Sequence, residues 1–158
     1  MEVVIRRAEQ SDYQALAELY REVHNFHAEI RPDIYRLNAS VLSEQDFHQK
    51  IASGSETFLV AEVCGQITGF AHVMFKERPP LFSVLKSADI TALAVTQCMR
   101  SQGIGKALLA ATETWASAKG ATYLTIGANA FNPKAQSLYE NSGFKVESVK
   151  LGKFIEPK

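Results

Sequence analysis

The chain is short of the features that mark several protein classes. It has two cysteines in 158 residues, Cys64 and Cys98. They lie far apart and form no metal-ligand spacing, so neither a zinc module nor a disulfide framework is implied. No sign of charge is in excess: 17 Lys and Arg balance 17 Asp and Glu. A duplex nucleic-acid binder usually carries a basic stripe, so nucleic acid is not an expected partner. No apolar run approaches bilayer-spanning length, so no membrane association is expected. The opening residues, Met1 to Arg7, hold no long apolar stretch of an export signal. The expectation is a cytoplasmic protein with reduced thiols. Internal repeats and low-complexity tracts are also missing.

What is present suits one globular core. Hydrophobic residues make up 46% of the chain, and the length fits a single domain over residues 1–158. Val3 to Ile5 reads as a first strand. Ser11 to about His27 reads as a helix, with Leu16, Leu19, Tyr20, Val23 and Phe26 on one face and Ser11 with Gln14 as a capping box. Arg31-Pro32-Asp33 breaks it. A second helix is predicted over Ser43 to Ala52. Phe58–Val63 and Gln66–Phe75 read as strands joined by a tight Cys64-Gly65 turn. Ala88–Val95 is almost wholly apolar and reads as a central strand.

A helix follows, with Ile104, Leu108, Ala111, Trp115 and Ala118 on one face and Gly120 at its end. Thr122–Ala128 is a predicted strand. Asn132 is a predicted N-cap, Pro133 the first helical residue and Gly143 the stop. Phe144–Leu151 is a predicted last strand. The order β-α-α-β-β-β-α-β-α-β implies an α/β domain on a mixed central sheet flanked by helices.

The stretch Arg100-Ser101-Gln102-Gly103-Ile104-Gly105-Lys106 carries the most chemistry. It joins an apolar strand to a helix start. A helix start offers unpaired N–H groups and a positive dipole end, so it attracts phosphate. Gly103 and Gly105 let an anion approach closely, and Arg100 and Lys106 add charge. The pattern is not a nucleotide-triphosphate loop, because Arg100 stands where that loop needs glycine and Ala107 where it needs Ser or Thr. A dinucleotide fingerprint fails at Leu108.

What remains, Arg-x-x-Gly-x-Gly, resembles the pyrophosphate motif of the GCN5-related N-acetyltransferases. A second stretch, Asn132-Pro133-Lys134-Ala135-Gln136-Ser137-Leu138-Tyr139 followed by Gly143-Phe144, is similar to that family's second signature. The resemblance runs most strongly from about Ile90 to Phe144. It implies acetyl-CoA as donor, an amine acceptor, no metal, and direct transfer in a ternary complex. It also implies a fold whose fourth and fifth strands splay to hold the pantetheine arm.

Carried onto this sequence, the resemblance gives backbone contacts to pantetheine from Leu93, Ala94 and Val95. Residues 100 to 106 would hold the pyrophosphate. Asn132 would meet the pantetheine arm. Tyr139 would protonate the departing thiolate; it lies seven residues on, about 10 Å along a helix axis. Each segment also has a plain structural reading: a solvated helix start, and a capped helix with a half-buried tyrosine.

The general base is not fixed. Many family members have an acid just before the Leu-x-Val of the fourth strand, and Thr91-Ala92 stand there instead. Asp89 and Glu29 are the candidates, with Asp33 and His27 beside Glu29 in a predicted acceptor loop. His24 and His27 have no evident third ligand for a metal. His72 reads as structural and His48 as exposed. Phe26, Tyr35, Phe75 and Phe82 suit either an acceptor pocket or ordinary packing. Cys98 lies near the cofactor loop.

The acceptor stays open between small-molecule and protein amines. A homodimer is a further expectation by analogy. The rival readings are a non-catalytic acyl-CoA-binding module and a purely structural domain.

Overall fold

The computed structural model describes residues 1–157. Five strands form one sheet in the order β1-β2-β3-β4-β5. They are β1 (Val4–Arg7), β2 (Glu56–Val63), β3 (Gln66–Glu77), β4 (Lys86–Val95) and β5 (Tyr123–Ile126). The first four pair antiparallel; β5 runs parallel to β4. Four helices flank the sheet: α1 (Tyr13–Ile30), α2 (Glu44–Ala52), α3 (Ile104–Ala118) and α4 (Pro133–Asn141).

Strand alternation sorts the core into two layers. Phe58, Val60, Phe70 and Ala94 meet Leu16 and Leu19 of α1 and Phe47 of α2. Leu59, Ala61 and Ala71 face the other way, onto Ile104 and Leu108 of α3. Val73, Ala88 and Ile90 continue that second layer, with Leu138 and Tyr139 of α4 at its margin.

The register between β3 and β4 pairs Val73 with Ile90 and His72 with Ala92, leaving Thr91 as an extra residue. This bulge changes the phase of β4. Ile90 faces α3, whereas Ala92 and Ala94 face α1. Pairing with β5 stops at Ile90 and Ile126. From Thr91 to Val95 no strand lies on that side of β4. The bulge therefore follows directly on the last β4–β5 pair, where β5 ends.

Several boundaries differ from expectation. Helix α1 does not begin with a Ser11–Gln14 box. A 3₁₀ turn over Gln10–Asp12 precedes it, and Asp12 accepts the Glu9 N–H at 2.7 Å. Arg6 draws the Asp12 carboxylate to the sheet with contacts of 2.7 and 3.0 Å. Helix α1 also runs on to Ile30, so His27 and Glu29 are helical rather than in a loop. The Cys64-Gly65 turn is as expected, with φ of 50° and 76°.

The predicted last strand over 144–151 is absent. Phe144 and Val146 share one face of an extended chain, but Val149 and Leu151 fall on the other. This phase slip leaves no single apolar face to bury. Val146, Val149 and Leu151 are 79%, 78% and 89% exposed. The segment touches β5 through a hydrogen bond from Tyr123 to Glu147, without backbone pairing.

Candidate functional site

The loop after β4 is shaped by its own backbone. Ser101 and Gly103 have φ of 62° and 84°. Gly103 is the N-cap of α3, and no side chain caps that helix. A left-handed N-cap is accessible to glycine at little cost. The first-turn N–H groups are thus left for an anion. Gly105 serves packing as well: a Cβ there would meet Leu138 Cδ2 at 3.0 Å, so its absence lets α4 approach α3.

That approach makes a groove. Ser101 on one side and Pro133, Lys134, Ser137 and Leu138 on the other line a shallow, open groove of about 470 Å³. The two stretches singled out in the sequence therefore meet in space. Lys134 adds a cation that the sequence reading did not weigh, although it lies inside the second stretch. Lys106 is exposed and makes no ion pair among the described residues.

Arg100 is placed differently from the expectation of a free phosphate ligand. Its Nε donates to Val95 O at 2.9 Å and its Nη2 meets Glu22 of α1 at 2.9 Å. Glu22 also accepts the Gln97 N–H at 3.0 Å. Arg100 thus ties the loop to α1 and to the end of β4, occupying the Val95 carbonyl. Gln102 folds back on Cys98 O at 3.3 Å. Ile104 is buried in the core, leaving only its backbone toward the groove. Glu22 had no sequence signal, because its partners lie more than seventy positions away.

Asn132 caps α4, its Oδ1 accepting the Ala135 N–H at 3.2 Å. Tyr139 is partly buried and packs edge-on to Phe144 with ring centroids 6.2 Å apart. Burial pushes its phenol above the ordinary range, so the hydroxyl stays protonated and able to donate.

Of the candidate bases, Asp89 lies in the paired part of β4. It accepts from Thr125 Oγ1 at 2.6 Å and faces Lys76 Nζ at 3.7 Å. Glu29 is exposed near the end of α1. Asp33 is held by Arg31 at 2.7 Å, outside the sheet. His27 is pushed down by burial and by His24, and its ring lies 6.0 Å from that of Tyr35. Among the described residues no group of His, Cys, Asp and Glu is placed to hold a metal ion.

His72, read as structural, is buried in β3 with both ring nitrogens hydrogen-bonded. Only 5% exposed, it meets Glu56 Oε2 at 2.7 Å through Nε2, and Tyr20 OH and Thr91 Oγ1 at 2.9 and 2.7 Å through Nδ1. Cys64 and Cys98 are free, exposed and line a separate cavity of about 420 Å³ beside α1. No helix among the described residues is long and apolar enough to cross a membrane.

Residues 54–146 match the acetyltransferase (GNAT) domain family. The uncharacterized N-acetyltransferase YhfO of Bacillus subtilis is 29% identical over 147 residues, covering 91% of each chain. A crystal structure of a mutant BH1408 protein from Bacillus halodurans superposes with a TM-score of 0.90 at 24% identity, over 97% of this chain and 99% of the other. The aminoglycoside N-acetyltransferase AAC(6′)-Iy, solved in complex with CoA, superposes with a TM-score of 0.74 at 15% identity, over 98% and 99%. The match spans the loop after β4, strands β2 to β5 and the second signature together, and the chain belongs to the GNAT acetyltransferase family.

Proposed function

We propose that this acetyltransferase moves an acetyl group from acetyl-CoA to a primary amine, by direct attack in a ternary complex. The observation that carries this reading is the groove where the uncapped start of α3 meets the start of α4. It lies beyond the carboxyl ends of parallel strands β4 and β5, where open α/β sheets hold their ligands. The uncapped N–H groups, Lys106 and Lys134 fit a pyrophosphate. The CoA complex of AAC(6′)-Iy supports the same donor by analogy.

From the groove, the gap beside Thr91–Val95 leads toward the α1 face, with Leu93, Ala94 and the N–H of Val95, whose carbonyl Arg100 holds, as the backbone groups for an extended arm. Tyr139 is the proton donor to the thiolate, its hydroxyl kept protonated by burial. Direct transfer fits better than a cysteine intermediate, because Cys64 and Cys98 lie in the other cavity and no imidazole bonds to either. The reading takes residues 1–158 as one catalytic domain, cytoplasmic, able to form a homodimer, with a small-molecule or protein amine as acceptor.

The test is thiol release from acetyl-CoA with a panel of primary amines, beside melting with and without CoA. The reading expects a CoA-dependent rise in Tm, as any ligand of the native state gives, and amine-dependent thiol release. A rise in Tm with no amine-dependent release favours a non-catalytic acyl-CoA-binding module.

A further inference from the structure

A buried polar chain crosses the α1/α2 side of the sheet and surfaces at the bulge. Lys50 Nζ meets Glu56 Oε2 at 3.1 Å. The same oxygen meets His72 Nε2 at 2.7 Å. Across the ring, Nδ1 meets Thr91 Oγ1 at 2.7 Å and Tyr20 OH at 2.9 Å. Phe58 stacks on the imidazole at 4.1 Å and 7°, fixing its plane. Thr91 itself is exposed. It is the extra residue of the β4 bulge, at the point where β5 leaves β4.

Chemistry fixes the direction of these hydrogen bonds. Burial opposes the charge on Glu56, but His72 and Lys50 outweigh it and keep its carboxyl below the ordinary range. A carboxylate only accepts, so Nε2 carries the proton. Burial keeps the His72 ring below its ordinary pKa despite Glu56, so it is neutral at pH 7. Its Nδ1 then offers one lone pair, and the Thr91 hydroxyl, the nearer of the two hydroxyls at 2.7 Å, donates to it. The groups facing it are Tyr20 from α1, Lys50 from α2, Glu56 from β2, and Thr91 and Asp89 from β4. An exposed hydroxyl donating to a neutral imidazole backed by a carboxylate is a general-base arrangement. A hydrophobic pair would have filled the same space without the desolvation cost.

We propose that Thr91, His72 and Glu56 form a proton relay that deprotonates the acceptor ammonium at the β4 bulge. This rests on the amine-acetylation reading above. Thr91 Oγ1 accepts one ammonium proton and passes its own to His72 Nδ1. Glu56 holds the resulting imidazolium. The neutral nitrogen then bonds to the acetyl carbon as the carbon–sulfur bond breaks. Tyr139 gives its proton to the thiolate and recovers one from the nitrogen. The nitrogen keeps one hydrogen in the amide, one leaves on the thiol, and His72 returns the third to solvent. Thr91 is the catalytic residue; His72 and Glu56 act through it.

The experiment compares the parent, Thr91→Val and Thr91→Ser in acetyl-CoA thiol release with spermidine, ethanolamine, an aminoglycoside and a lysine peptide, from pH 6 to 10. Valine suits an exposed strand, so these proteins should fold; His72→Gln and Glu56→Gln are secondary. With the amine that turns over, the parent rate should rise through a pKa below 6.5 and then level. Thr91→Val should lose about 10²-fold at pH 7, rise about tenfold per pH unit, and approach the parent near the amine's own pKa. Thr91→Ser should keep the parent profile. A Thr91→Val profile parallel to the parent's overturns the relay and leaves the acetylation reading standing. No release from the parent with any amine overturns that reading and the relay with it. Independently of activity, imidazole ¹⁵N spectra at pH 7 should show His72 with hydrogen on Nε2 alone. Hydrogen on Nδ1 overturns the relay.

Discussion

On the α3/α4 face, most groups expected to meet the donor fall within two short stretches, 100–106 and 132–139. On the α1/α2 face, the polar chain draws on Tyr20, Lys50, Glu56, His72 and Thr91, one from each of five elements. The first face presents backbone: a left-handed Gly103, an uncapped helix and a strand edge left open past the end of β5. The second gathers side chains whose meeting depends on sheet register. A backbone site needs glycines at fixed spacing and so leaves a contiguous pattern. A side-chain site leaves scattered residues with no pattern at all.

The sharpest way to break the donor side is charge. Gly105→Asp should abolish CoA binding, at least about 10³-fold, because its Cβ meets Leu138 at 3.0 Å and its carboxylate repels phosphate. Gly103→Asp separates the two causes, since no atom lies within 4 Å of a Cβ there. Gly103→Ala adds only backbone strain at φ +84°, roughly 1–2 kcal/mol. Calorimetric titration with CoA reads all three. Parent-like affinity in either Asp variant removes the loop from the site.

Tyr139→Phe comes next and tests where the two faces join. Phenylalanine keeps the packing on Phe144 and removes the hydroxyl. The single-turnover rate should fall about 10²- to 10⁴-fold with little change in acetyl-CoA affinity. An unchanged rate would leave Tyr139 as packing.

How much was legible follows the same division. Gly103, Asn132 and Pro133 are readable because each suits a particular local backbone geometry, and Gly105 because it falls in the same short pattern. The Lys50–Glu56–His72–Thr91 chain was not, because its link to β4 rests on a bulge that shifts Thr91 by one position. His72 in an apolar strand read as structural, and Glu56 drew no notice. The tail failed for a third reason. Residues 144–151 have strand composition, but their apolar residues change face at Ser148, a pattern visible in the sequence and outweighed by strand propensity. Helix α1 outran its predicted end because Pro32 marks a limit, not a start, for the break.

Smaller effects sharpen the picture. Lys134→Ala should weaken CoA binding by several-fold and flatten its salt dependence, since Lys134 lines the proposed anion groove as an exposed charge. An unchanged salt slope would put Lys134 outside the anion site. Arg100→Ala should weaken CoA binding least, about two- to five-fold, because Glu22 and Val95 O already hold the guanidinium. Its pair with Glu22 is partly exposed and worth about 0–1 kcal/mol, so Tm should move little. A loss as large as that of Gly105→Asp would mean that Arg100 leaves Glu22 for the phosphate.

The most direct measurement of the central claim is an amide ¹H–¹⁵N titration of the labelled protein with CoA. The account predicts large shifts at Ser101 to Lys106, at Leu93 to Val95 and at Asn132 and Lys134, with β1 and β2, at the far side of the sheet, unmoved. Saturable shifts that instead gather around Cys64, Thr68 and Cys98, in the cavity beside α1, would contradict it.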